Sequence, residues 1–273
     1  MSKSTNSKNK QNPDFSSGPA RPQITLLGIK VDDITLDQAA DRVVDWVRQR
    51  REVADAPARL IVTLNPEYVI ATRRDPAFRQ VVNSAAMVTP DGAGLIAAGK
   101  ILGQPFRSRV TGVALCEKLF QSSAQADGPR LFLLGAREGV AEEAAGKLRQ
   151  EYPGIQIAGT WAGQAGPEGD EEAVERIRQA GAEVILVAYG MLKQDWWSVR
   201  NLTISGAAVA LGVGGVLDYK AGRVPLAPLR LRQWGLEWAY RLYKEPWRWR
   251  RQLALPQFAL LILIERLRRV LRK

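Results

Sequence analysis

Short apolar, β-branched runs alternate with longer segments of helical period across most of the chain. Residues 24–31, 60–64, 87–89, 131–134, 155–160, 184–188 and 207–213 read as strands. Residues 36–51, 111–123, 140–151 and 171–180 carry the length and 3.6-residue period of helices. Strands that alternate with helices predict a largely parallel sheet covered on both faces, an α/β, Rossmann-like fold. After residue 218 the pattern changes. Pro225 and Pro228 punctuate a linker, and two helical segments follow at about 233–244 and 247–271, separated by Pro246. In the second, Leu260, Leu263, Ile264, Leu267 and Leu271 share one face, with Glu265, Arg268, Arg269 and Arg272 toward the other.

Charge sharpens this division. Residues 219–273 hold 14 Lys and Arg against 3 Asp and Glu, which is the whole net charge of +11. Four of the eight tryptophans, Trp234, Trp238, Trp247 and Trp249, also lie there. The organisation expected is a disordered arm over 1–22, a body over 23–218, and a basic helical appendage over 219–273. A basic, aromatic, amphipathic tail suits an anionic membrane surface. The same helix also suits packing against the body, and a basic aromatic arm suits nucleic acid. The balanced charge of the body argues against nucleic acid as a partner. The longest apolar run of the tail, residues 258–264, is far short of the roughly 20 residues a membrane span needs. Residues 1–22 have no secretory apolar region. One cysteine, Cys116, excludes an internal disulfide and fits a reducing compartment. The expected location is cytoplasmic, peripheral at the inner face of the cell membrane.

The chain has no histidine and no Asp-x-Asp pair. Acid–base chemistry then falls to Asp, Glu, Lys, Tyr or Cys, and neither a metal site nor a cofactor is expected. Thr63 and Asn65 end one strand and point to the same side, at the sheet edge where open α/β folds bind ligands. Asn65 before Pro66 equally reads as a helix cap. Asp91, in Pro90-Asp91-Gly92, ends another strand, and the same tripeptide equally reads as a turn. Arg109 precedes a helix start at Thr111, an arrangement suited to a diphosphate or to a plain N-cap. Lys193 and Gln194 follow the strand over 184–188 and lie at the same edge.

In order, the chain presents Thr-x-Asn, Pro-Asp-Gly, Arg-Val-Thr-Gly, Phe-Leu-Leu-Gly, Tyr-Pro, Gly-x-x-Lys-Gln and Gly-Val-Gly-Gly-x-x-Asp. Gly-Leu-Glu-Trp, Tyr-Arg-Leu and Glu-Pro-x-Arg follow in the tail. This succession, over about residues 24–255, resembles the WecG/TagA/CpsF family of bacterial glycosyltransferases. The resemblance implies an inverting, metal-independent transferase that moves N-acetylmannosamine or a related hexose from a UDP-sugar to a polyprenyl-diphosphate-linked sugar, for teichoic acid or other surface polysaccharides. It implies Asp91 as general base, with Thr63, Asn65, Arg109 and Gln194 binding substrate. Arg241 and Arg248 match tail arginines of the family. The family's Pro-Lys-Gln-Glu reads Leu192-Lys193-Gln194-Asp195, and its Arg-Ala-Pro reads Leu226-Ala227-Pro228, so Arg223 or Arg230 would take over one diphosphate contact. These departures keep open a degenerate membrane-associated scaffold as an alternative. A homo-oligomer is compatible with the sequence.

Overall fold

The structure is a computed structural model and describes Phe15, residues 22–246 and residues 249–271. A hairpin opens the fold, with β1 at Gln23–Leu26 and β2 at Ile29–Asp32. The 24–31 run therefore holds two antiparallel strands, not one strand. Leu27 and Gly28 both take positive φ, 52° and 84°, which closes the tight two-residue turn that strand twist favours.

The body continues with α1 (Leu36–Glu52), β3 (Arg59–Leu64), α2 (Pro66–Arg74), α3 (Pro76–Ser84), β4 (Met87–Pro90) and α4 (Ala93–Ile101). Next come α5 (Gly112–Ser123), β5 (Leu131–Gly135), α6 (Val140–Glu151), β6 (Ile157–Trp161) and α7 (Asp170–Gln179). The strands β7 (Val184–Ala188) and β8 (Val209–Gly212) flank α8 (Lys193–Ser205). The tail holds α9 (Val216–Lys220), α10 (Leu229–Gln233), α11 (Glu237–Lys244), α12 (Trp249–Gln252) and α13 (Ala254–Leu271).

Six strands form one parallel sheet in the order β4-β3-β8-β7-β5-β6. Its strands are apolar on both sides, as a doubly covered parallel sheet requires. Leu60, Val62 and Leu64 of β3 face a core built with α2, α3, α8 and α13. Ile61 faces the opposite core, built with α1, α5, α6 and α9. The chain leaving β3 therefore turns to one face through α2, and the chain leaving β8 turns to the other through α9. Between these neighbouring strands the connections diverge and a crevice opens at their carboxyl ends.

The tail is more broken than its periodicity predicts. Gly235, at φ 73°, ends α10 and separates it from α11. The long final segment splits at Leu253, and α13 starts close before Pro256 because proline is tolerated only in a first turn. Helix α9 crosses the expected boundary at 218, and Val216, Leu217 and Ala221 are buried in the core of the body. Within the expected arm, Phe15 is buried in the other core.

Helix α13 carries two apolar faces. Phe258 and Ile262 are buried and Leu261 is partly buried against α2 and α4. The ridge singled out by periodicity is on the opposite side, where Leu260, Leu263 and Leu267 are 58%, 55% and 63% exposed. Glu265 and Arg269 lie on the packed side rather than in open solvent: Arg269 donates to Glu265 and to the Leu102 carbonyl. Arg272 lies outside the described residues. Because Phe258 fills the core, Phe258→Ala is expected to destabilise the whole protein by about 3 kcal/mol or more. Chemical denaturation followed by tryptophan fluorescence should show one transition displaced as a unit, and an unchanged midpoint would mean that α13 folds apart from the body.

Candidate active site

A cleft of about 630 Å³ opens at the carboxyl edge of the sheet, above β3, β4, β7 and β8. Thr63, Asn65, Asp91, Arg109, Gln194 and Arg241 all line it. Its roof comes from the tail, through Glu237, Trp238, Arg241, Glu245, Arg251 and Leu255.

Asp91 sits directly after β4. Its backbone N–H donates to the Leu64 carbonyl at 2.7 Å, continuing the pairing with β3. Its carboxylate accepts the Gly112 N–H at 3.2 Å, at the first residue of α5. Burial in the cleft pushes its pKa up to about 7, against the pull of the Gly112 N–H. Glu237 adds to the rise, and Arg109 and Arg241 oppose it. The Pro90-Asp91-Gly92 segment is thus the end of a strand running into α4, with Gly92 at φ 91° as the N-cap.

Thr63, buried beneath the cleft, approaches Gly112 from β3. Asn65 caps α2, its Oδ1 accepting the Tyr68 N–H at 3.1 Å, so it serves as helix cap and cleft wall together. Thr111 likewise caps α5 by accepting from the Ala114 N–H. Arg109 reaches across to the tail and donates to the Arg232 carbonyl at 3.0 Å. Gly235 makes this approach feasible, since a Cβ there would come within 2.3 Å of the Ala93 Cβ.

Gln194 is buried at the centre of a polar network. Its Nε2 donates to the Tyr68 hydroxyl at 2.9 Å, and its Oε1 accepts the Gly214 N–H at 3.1 Å. The Tyr68 hydroxyl donates in turn to Asp195 Oδ2 at 2.8 Å, which also accepts the Leu192 N–H at 3.1 Å. One chain of bonds therefore ties α2, α8 and the loop after β8. Gly212 must be glycine here, because a Cβ would meet the Gln194 amide at 2.3 Å.

Two tail arginines are absent from this picture. Arg223 does not line the cleft; it pairs with Glu143 of α6, its Nε 2.7 Å from Oε2. Arg248 lies outside the described residues. The described site gains four residues that the motifs left unassigned: Tyr68, Glu237 and Arg251 in the wall, and Asp195 beneath it. Tyr68 stands one helical turn after Asn65, and Glu237 belongs to Gly-Leu-Glu-Trp, so both had a signal. Arg251, paired with Glu67 at 2.7 Å, had none.

The glycosyltransferase family model of the WecG/TagA/CpsF type matches residues 24–272. The chain belongs to that family. It is 33% identical over 203 residues to a Bacillus spizizenii protein, covering 74% of this chain and 78% of that one. It is 32% identical over 206 residues to one from Bacillus subtilis, with 76% and 79% covered. A Staphylococcus aureus protein is 31% identical over 219 residues, with 80% and 84% covered. Each of the three is named N-acetylglucosaminyldiphosphoundecaprenol N-acetyl-beta-D-mannosaminyltransferase. The protein is thus a glycosyltransferase. Among the described residues, no helix is long and apolar enough to cross a membrane.

The raised pKa of Asp91 has a consequence for stability. The folded protein holds a proton that the unfolded chain releases near pH 4, so stability falls as pH rises from about 4 to about 7. Asp91→Asn removes that cost. The variant should melt above the parent at pH 8, with the gap closing toward pH 4. Equal melting temperatures at both pH values would show that the carboxyl is solvated.

Proposed function

We propose that this glycosyltransferase moves N-acetylmannosamine or a related hexose from a UDP-sugar to a polyprenyl-diphosphate-linked N-acetylglucosamine, with inversion and without a metal ion. The acceptor and sugar follow the names of the three relatives. The observation that carries the mechanism is Asp91, a carboxyl with a pKa near 7 in a cleft that also holds Arg109 and Arg241.

In this reading an acceptor hydroxyl attacks the anomeric carbon while Asp91 takes its proton. The bond from that carbon to the UDP oxygen breaks on the opposite face, and UDP leaves with the electron pair. A base of pKa near 7 is better matched to this task than an ordinary aspartate. Arg109 and Arg241 offset the charge that grows on the departing diphosphate, an electrostatic contribution of a few kcal/mol per well-placed donor. Arginines can serve where the chain supplies neither histidine nor Asp-x-Asp. Thr63 and Asn65 shape the wall beside Asp91, and the Gln194 network fixes the loop over 212–215 that faces it. The lipid-linked acceptor calls for work at a membrane, and the exposed ridge of α13 supports a peripheral attachment at the inner face.

The decisive assay incubates the protein with a panel of UDP-sugars and a short-chain polyprenyl-diphosphate-N-acetylglucosamine, following UDP release and the mass of the lipid. Asp91→Asn is expected to fold and bind UDP yet turn over about 100-fold more slowly or worse. Near-normal turnover would remove Asp91 from the role.

The free-enzyme profile of kcat/KM should fall tenfold per pH unit below about 7, because only the ionised carboxylate accepts a proton. A flat profile between pH 5 and pH 8, about two units below that midpoint to about one unit above it, would contradict it. Excess EDTA should leave the rate unchanged; activity lost to EDTA and restored by Mg²⁺ would overturn metal independence.

A further inference from the structure

Away from the cleft, a second cavity of about 410 Å³ lies between the opening hairpin and α13. Thr25, Leu27 and Gly28 wall one side, and Leu261, Ile264, Glu265, Arg268 and Arg269 wall the other, with Arg73 entering from the last turn of α2. The hairpin wall is held in place. Asn83 of α3 accepts the Lys30 N–H at 3.1 Å and donates to the Gly28 carbonyl at 3.2 Å.

The charges here do not cancel. Arg269 is paired with Glu265 at 3.0 Å. Arg73 and Arg268 face the same cavity with no hydrogen bond or ion pair among the described residues. Both residues are exposed, and together they make the rim of the cavity positive, which favours an anion there. Guanidinium is also the cation best matched to phosphate oxygens, which it can grip with two parallel bonds. The remaining lining, Leu27, Leu261 and Ile264, is apolar, so the complementary ligand is a phosphate that carries hydrocarbon.

Position selects the source. Arg268 follows Leu267, so on a helix its side chain lies about 100° around from the exposed leucine ridge. With that ridge sunk roughly 5–10 Å into the headgroup–acyl boundary, the flank bearing Arg268 stands at headgroup depth. We infer that the cavity between the hairpin turn and α13 is a binding site for the phosphate of an anionic phospholipid headgroup, gripped by Arg73 and Arg268. This rests on the membrane reading proposed above, but it adds a fixed site shared by body and tail to the diffuse attraction of a basic helix.

The test separates a site from diffuse charge. Full-length protein is titrated with phosphatidylcholine vesicles, with and without phosphatidylglycerol. Arg73→Lys and Arg268→Lys keep the charge but lose the two-pronged grip. Each should weaken binding to the anionic vesicles about fivefold or more, whereas Arg266→Lys, on the other flank of α13, should not. Water-soluble dihexanoylphosphatidylglycerol should bind saturably, and Arg73→Gln or Arg268→Gln should abolish that binding. Inorganic phosphate at the same concentration should not displace it. If all three lysine variants bind vesicles like the parent, or if inorganic phosphate displaces the lipid equally well, there is no headgroup site, while the membrane reading stands. If the parent protein binds no vesicle of either composition, the membrane reading fails and takes this site with it.

Discussion

Asp91 carries its charge where charge costs most, at the inner end of a cleft whose walls are a sheet edge and whose roof is the tail. A single helix N-terminal N–H at 3.2 Å offsets only part of that cost. Contacts that hold the closure include the Arg109 bond to the Arg232 carbonyl, the seating of Gly235 on Ala93 and the pairing of Arg251 with Glu67. Through the same closure the tail delivers charge of both signs to the carboxyl, Glu237 raising its pKa and Arg241 lowering it. Desolvation and Glu237 together outweigh the two arginines, which is why the balance lies near neutrality. Without the tail, both Glu237 and Arg241 would be lost from the surroundings of the carboxyl.

The floor of the cleft shows how a departure from a family motif is absorbed. Leu192 stands where the family carries proline, and its φ is 71°. Proline cannot reach that angle, because its ring holds φ near −65°. A proline would therefore not fit the turn into α8 as this chain builds it. Asp195 caps it by accepting the Leu192 N–H, and the same oxygen takes the Tyr68 hydroxyl. Asp195, one methylene shorter than glutamate, is thus held inside the fold. Burial raises its pKa to about 7, as it does for Asp91, but its Oδ2 is committed to the Tyr68 hydroxyl and the Leu192 N–H, and its Oδ1 is buried without a hydrogen-bond partner. Gln194 and Tyr68 are left as the side chains of this network that meet the cleft.

Much of this was legible in the residues. The alternation of apolar runs and helical periods gave the parallel sheet, because a doubly covered strand is apolar on both sides and short. Thr63, Asn65 and Asp91 could be placed at one edge because strand ends in such folds share it. The hairpin is hard to read because residues 24–31 stay largely apolar and β-branched, although the alternation changes phase at Leu26-Leu27 and Gly28 marks the turn. Asn65 and Thr111 show that capping and site-building are not rivals: a side chain can spend one oxygen on a backbone N–H and still form a wall. Arg223 could not be placed from sequence. Nothing local announces that Glu143, 80 residues earlier, will capture it. Arg251 was illegible for the same reason, since its partner Glu67 is distant in the chain.

Helix α13 explains why its periodicity admitted two readings. A helix that packs on a core needs one apolar stripe, and a helix that lies on a membrane needs one as well. This helix has both, set on opposite sides, with Phe258 and Ile262 directed inward and Leu260, Leu263 and Leu267 outward. The inward stripe is fastened at its ends by polar contacts, Arg251 to Glu67 near the start and Arg269 to the Leu102 carbonyl near the finish. A helix fixed in this way cannot release its core face to meet a bilayer. Attachment through the outward ridge would thus leave the packing intact and hold the cleft at a constant height above the membrane. The reach of a lipid-linked acceptor into the cleft would then be set by a rigid distance within the fold, not by the flexibility of a tether.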